Sequence, residues 1–244
     1  MYIYLIISYK KYKRNANCIS IMETPQSALP AISENPLYTF IHIPKCGGSC
    51  VETFFQNHYS EHITGTTHKW ICQKNNNPIV IIREPAERFI STYHYWKNGS
   101  HGRNSRNEEF TRIYGNCTIK DFIEMYKRNT EAIKNNWMHE LVNGYMWRLH
   151  YFPQVYWIDP AFFENSIVIL YEDNLHNKIE QLFDYLHIEN KGIHLERSNV
   201  TRKKEGEEVT LDEEDLKWLK EQFKEDYDLW NKANTQPELF KKVL

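Results

Sequence analysis

The chain has 244 residues, enough for one well-buried domain or at most two small ones. Hydrophobic residues make up 41% and charged residues 25%, as in an ordinary globular protein, and the net charge of −2 excludes a chain-wide attraction to nucleic acid or to an anionic membrane surface. Any anion site must therefore be local, and the five unmotifed cysteines (Cys18, Cys46, Cys50, Cys72, Cys117) argue against a disulfide framework and fit a reducing compartment.

The N-terminal stretch MYIYLIISYKKYKR carries an apolar run, Met1–Ser8, far shorter than the roughly 20 residues a spanning helix needs. Its basic cluster follows the apolar run, whereas a signal peptide places its positive charges first. Neither a membrane anchor nor a signal peptide is expected. Residues 1–36, punctuated by Pro25, Pro30 and Pro36, read as a loosely ordered extension, and residues 37–244 as the folded domain.

Leu37–Ile43 is a β-rich run and predicts a buried strand. Ser49–Tyr59 has apolar residues at 51, 54 and 55, which predicts a helix with Ser49 at its cap or in its first turn. Ile79–Ile82 shows no alternation, the pattern of a strand covered on both faces in a parallel sheet, and a helix is expected from about Ala86. A further helix is predicted at 118–129. Residues 131–157 read as helical or irregular. A third buried strand is predicted at 166–175, an amphipathic helix at 178–188, and a long amphipathic helix at 210–230 opening with a Thr210–Glu213 capping box. This alternation predicts an α/β domain with a central parallel sheet flanked by helices.

Two strand-to-helix turns carry the chemistry. FIHIPKCGGSC (Phe40–Cys50) runs from a strand through two glycines into a helix start, where unpaired N–H groups and the positive end of the helix dipole favour an anion. Lys45 adds a positive charge, Ser49 a hydroxyl, and Gly47 and Gly48 room for close approach. The competing reading is a tight turn with no ligand. It is not a Walker A loop, which places its lysine after the glycines. IVIIREPAERFISTYHYW repeats the arrangement, with Arg83 at a strand's carboxyl end, where a guanidinium can fork onto a phosphate or sulfate. The competing reading here is a surface Arg83–Glu87 pair.

HIPKCGGS followed by REPAERFISTYHYW resembles the two cofactor-binding signatures of PAPS-dependent carbohydrate sulfotransferases, most of all the heparan-sulfate 2-O/6-O group. The resemblance extends through FPQVYW (152–157), IVILYEDNL (167–175) and SNVT, and so covers residues 38 to about 232. It implies a P-loop-like three-layer sulfotransferase fold. It implies that Lys45, Cys46, Gly47, Gly48, Ser49 and Cys50 hold the 5′-phosphosulfate, and that Arg83 and Ser91 bind the 3′-phosphate. Cys46 and Cys50 depart from the usual Thr/Ser, and Cys50 removes a hydroxyl that could touch phosphate. Thr201 and Lys203, in the basic loop TRKKEG, are placed to close over the nucleotide.

Sulfuryl transfer needs a base for the acceptor hydroxyl and a cation for the departing phosphate. Lys45 suits the second task. His68, in His68-Lys69-Trp70, sits where the family carries its catalytic histidine. Arg148 and Gln154 are expected to touch a saccharide acceptor. The chemistry needs no metal: His58, His62, His68 and Cys72 lack well-separated ligand pairs, and Asp226-Tyr227-Asp228 reads as a solvated helix face. A catalytically silent nucleotide-binding protein of the same fold and a kinase-like phosphotransferase stand as alternatives. The missing anchor and unpaired cysteines point to the cytoplasm, the resemblance to the Golgi lumen.

Overall fold

The computed structural model describes residues 37–65, 77–98, 114–128, 150, 152–158, 164–172, 174–196 and 209–244. Five strands, β1 (Tyr38–Ile41), β2 (Ile63–Gly65), β3 (Asn77–Ile82), β4 (Ile167–Leu170) and β5 (Lys242–Val243), join in one sheet of order β2-β1-β3-β4-β5. Every pairing is parallel, with Phe40 opposite Ile79, Ile82 opposite Leu170 and Val168 opposite Val243. The β-branched run Ile79–Ile82 is at most 1% exposed, so both faces of the central strand are covered, as its unbroken apolar pattern requires.

Among the described residues six helices flank the sheet: α1 (Gly48–His58), α2 (Pro85–Lys97), α3 (119–128), α4 (Leu175–Leu186), α5 (Glu213–Gln222) and α6 (Lys224–Thr235). They pack in two aromatic groups. Phe54 and Phe55 of α1, with Tyr59 just beyond it, meet Phe183 of α4 at ring distances of 6.3, 6.2 and 4.3 Å. Phe89 of α2 meets Phe122 and Tyr126 of α3, Trp218 of α5 and Phe223 at 5.3 to 6.1 Å. The chain leaves β1 for β2 on one side and returns past β1 to β3 on the other. The strand order therefore reverses between β1 and β3, and in such sheets the crevice at the carboxyl ends of those two strands is where ligands bind.

Several boundaries differ from the sequence reading. β2 and β5 were not anticipated: runs of three and two residues carry no usable period. The helix expected at 210–230 is two helices broken at Phe223, and its cap is Asp212, whose carboxylate accepts from the Asp215 N–H, not Thr210. α4 starts three residues early, at Leu175, because Asn174 caps it. α1 starts at Gly48 with Gly47 as its cap. The expected extension, 1–36, and the span 131–149 lie outside the described residues. Among the described residues no helix is long and apolar enough to cross a membrane.

Candidate active site

The loop from His42 to Gly47 leaves the carboxyl end of β1 and turns sharply into α1. Two of its residues have left-handed backbone: Lys45 at φ 67° and Gly47 at φ 76°. For a lysine this conformation is strained, and such residues gather at functional sites. The loop is held from β3 and α2. Arg83, just past β3, directs Nη1 at the Lys45 carbonyl at 3.5 Å, and Arg88 of α2 donates Nε–H to the Pro44 carbonyl at 2.9 Å.

Lys45 and Arg83 thus meet over the β1/β3 crevice. The Lys45 Nζ lies 4.2 Å from the ring centre of Tyr95, and the Arg83 guanidinium lies 4.3 Å from that of Tyr171. Burial first, and then the Arg83 charge, pull the Lys45 amine down to about 7. Two cations held together and partly out of water form a site that an anion would stabilise. The Arg83–Glu87 pair is also present, at 3.3 Å, but Glu87 is 59% exposed along its side chain against 20% for Arg83, so this pair lies at the site's solvent edge.

At α1, Gly47 offers no side-chain cap and the first turn holds no acidic residue. Ser49 is half-buried in that turn, with Oγ 3.5 Å from His42 Nε2. The two glycines have immediate packing reasons. A Cβ on Gly48 would lie 2.3 Å from His42 Cδ2, and one on Gly47 would lie 2.8 Å from both Leu175 and Tyr171. Cys50 turns its thiol back to the Gly47 carbonyl at 3.2 Å. Ser91 is half-buried on α2, about two turns beyond Arg83.

Two expected residues take different places. The Cys46 side chain is 0% exposed and faces the core, its thiol 3.1 Å from Gln154 Oε1; burial raises that thiol to about 11 and leaves it inert. Gln154 is 1% exposed, and its amide is taken up by the Arg83 backbone. It holds Arg83 where an acceptor contact was expected. His68, Arg148, Thr201 and Lys203 lie outside the described residues.

Three contributors escaped the sequence reading. Arg88 is 3% exposed and sits on the buried stripe of α2 with Pro85, Phe89 and Thr92; a charge at a core-facing position was the available signal. Asp226 is also buried, at 1%, and accepts from the Gln154 and Val155 N–H groups at 2.8 and 3.0 Å. Only Asp228 of the Asp226-Tyr227-Asp228 triplet behaves as a solvated residue, pairing with Lys224. His150 stacks on Tyr95 at 4.8 Å, and its carbonyl takes Arg88 Nη2 at 3.5 Å. Among the described residues no group of three His, Cys, Asp or Glu side chains stands together as a metal site.

A family model described as "Sulfotransferase family" matches residues 32–233. The match runs from before β1 through α5 and most of α6, and it includes both strand-to-helix turns. No curated protein and no solved structure matches the chain.

Proposed function

The chain belongs to the sulfotransferase family, and from that premise we propose that it transfers a sulfuryl group from PAPS to a hydroxyl of a carbohydrate acceptor, releasing PAP. The observation that carries this reading is the meeting of Lys45 and Arg83 at the carboxyl ends of adjacent parallel strands, beside an α-helix start without a side-chain cap. That arrangement suits a ligand with two separate anionic groups.

In this reading the α1 start, Lys45 and Ser49 hold the 5′-phosphosulfate end, and Arg83 with Ser91 holds the 3′-phosphate. The acceptor oxygen attacks sulfur as the S–O bond to the 5′-phosphate breaks. Lys45 neutralises the charge gathering on the leaving phosphate, and His68 takes the acceptor's proton. Cys46 contributes through its backbone alone, since its side chain is in the core. Gln154 acts on Arg83 and not on the acceptor.

Calorimetric titration of PAP, without metal, into the wild-type protein and into Arg83→Ala tests this. Loss of a desolvated charge-assisted contact should cost about 2 to 5 kcal/mol, so micromolar binding should collapse in the variant. A wild-type protein that ignores PAP but binds ATP with magnesium would replace this reading with a kinase-like one. A protein that binds PAP but leaves every sugar acceptor unsulfated when given labelled PAPS would be the silent binding protein.

A further inference from the structure

Behind the Lys45–Ser49 loop lies a buried acid–imidazole pair that the proposed chemistry does not use. His42 follows β1 and is 3% exposed; Glu52 lies in α1 and is 6% exposed. His42 Nδ1 and Glu52 Oε2 are 2.6 Å apart, while the other ring nitrogen, Nε2, faces Ser49 Oγ at 3.5 Å. Ser49 and Glu52 are three residues apart on α1, so both reach the same ring from one helix face.

Two glycines make room for this line of groups. A Cβ on Gly48 would come 2.3 Å from His42 Cδ2, and a Cβ on Gly65 of β2 would come 2.4 Å from Glu52 Oε1. An apolar pair of the same volume would fill this part of the core at least as stably as a buried acid and base. The placement therefore calls for a chemical reason.

Ser49 supplies one. With Nδ1 donating to Glu52, the state of Nε2 decides which way the Ser49 hydroxyl points. If Nε2 is bare, it accepts the Ser49 O–H, and the oxygen lone pairs turn toward the site, where they repel an anion. If Nε2 carries a proton, it donates to Ser49 Oγ, and the Ser49 O–H swings outward as a donor. The second arrangement needs a buried carboxylate to balance the imidazolium, and Glu52 is that group.

We propose that Glu52 and His42 are positioning residues that fix the Ser49 hydroxyl as a hydrogen-bond donor to the 5′-phosphate end of the ligand. The proposal rests on the PAPS reading. No bond is made or broken in the relay; it sets the direction of one hydroxyl. In this proposal His42 acts on the ligand through Ser49.

A double-mutant cycle separates this role from simple packing. PAP is titrated into the wild-type protein, Glu52→Gln, Ser49→Ala and the double variant, with a melting temperature for each. Glu52→Gln keeps the shape and still accepts from Nδ1–H, but it brings no charge. Each single change should weaken PAP binding about tenfold, the worth of one net hydrogen bond, and the double variant should bind no more weakly than Ser49→Ala alone. Losses that multiply across the cycle would overturn the relay, as would wild-type affinity in Glu52→Gln. If Glu52→Gln does not fold, the paired replacement His42→Phe with Glu52→Leu restores an apolar core. That variant leaves the Ser49 hydroxyl present but no longer held in one direction, so it should bind PAP more weakly than the wild type and more tightly than Ser49→Ala, and wild-type affinity there would overturn the proposal. A wild-type protein that binds no PAP brings down the PAPS reading and the relay together, whereas a binding wild type with an unaffected Glu52→Gln brings down the relay alone.

Discussion

The side-chain amide of Gln154 pairs with both backbone polar groups of Arg83: its Oε1 accepts the Arg83 N–H at 2.8 Å, and its Nε2 donates to the Arg83 carbonyl at 2.8 Å. In effect a side chain continues the sheet's hydrogen bonding one residue past the end of β3. The Gln154 backbone is fixed in turn by Asp226 of α6, so the C-terminal helices and Arg83 are joined through two residues. Gln154→Ala should leave the Arg83 N–H and carbonyl without these partners and cost about 2 to 4 kcal/mol of stability by urea melt. PAP affinity should fall with it, since Arg83 loses its fixed backbone. A variant with a normal melt and normal PAP binding would show that the clamp is dispensable.

If Lys45 holds the ligand as proposed, it should make PAP binding depend on pH. With no anion bound, its amine is held at about 7, mainly by burial and then by Arg83. A phosphate beside it favours the charged form and raises that value. Affinity for PAP should therefore be full below about pH 7 and weaken as pH rises above it, with uptake of a proton on binding. Calorimetry at pH 8 in two buffers of different ionisation enthalpy measures the uptake directly. Lys45→Met should bind more weakly, with no proton uptake from this site and a flatter pH profile.

The outline of the molecule was legible where the physics is local. The unbroken apolar run Ile79–Ile82 announced a doubly covered parallel strand, and glycines at a strand-to-helix turn marked the site loop. What stayed hidden depends on contacts far apart in the chain. Arg88 meets Pro44 across 44 positions and Gln154 meets Asp226 across 72, and no periodicity encodes either. Asp226 lies in a helix whose other acids are solvated, so pattern alone assigned it to the wet face. The direction of the Cys46 side chain was hidden for a related reason: a place in a ligand-type motif does not say which way a side chain faces, and here the thiol lies in the core. The two glycines were legible as glycines, but their nearest neighbours are His42, Leu175 and Tyr171.

Asp226 should leave a mark on the pH dependence of stability. Burial raises its carboxyl to about 6, against an opposing pull from Arg88 and from the Gln154 and Val155 N–H groups. The folded protein thus holds this proton more tightly than the unfolded chain does. The contribution is full near pH 4 and below, and it is lost as pH rises through about 6. A shift of this size corresponds to about 3 kcal/mol. Compared with Asp226→Asn, the wild-type protein should lose stability relative to the variant between about pH 4 and 7, read by urea melts across that range. A difference independent of pH would show that Asp226 keeps an ordinary carboxyl value.

The glycines give a graded test of what the site loop requires. Gly192 has φ 67° with nothing within 4 Å of an added Cβ, so Gly192→Ala meets only the left-handed backbone penalty, about 1 to 2 kcal/mol. Gly47→Ala meets the same penalty and also presses on Leu175 and Tyr171, the ring that carries the Arg83 guanidinium. Gly48→Ala has no such backbone penalty and gains helix propensity of about 1 kcal/mol, but its Cβ drives into the buried His42 ring. That overpacking should cost about 1 to 3 kcal/mol, offset in part by the propensity gain. The melts alone would rank Gly47→Ala as the most damaging. PAP binding should rank differently: it should be lost in both Gly47→Ala and Gly48→Ala, because each displaces a side chain next to Lys45, Arg83 or Ser49, and kept in Gly192→Ala. Full PAP affinity in a well-folded Gly48→Ala would show that the loop tolerates a shifted His42, and the tight packing there would then serve the core alone.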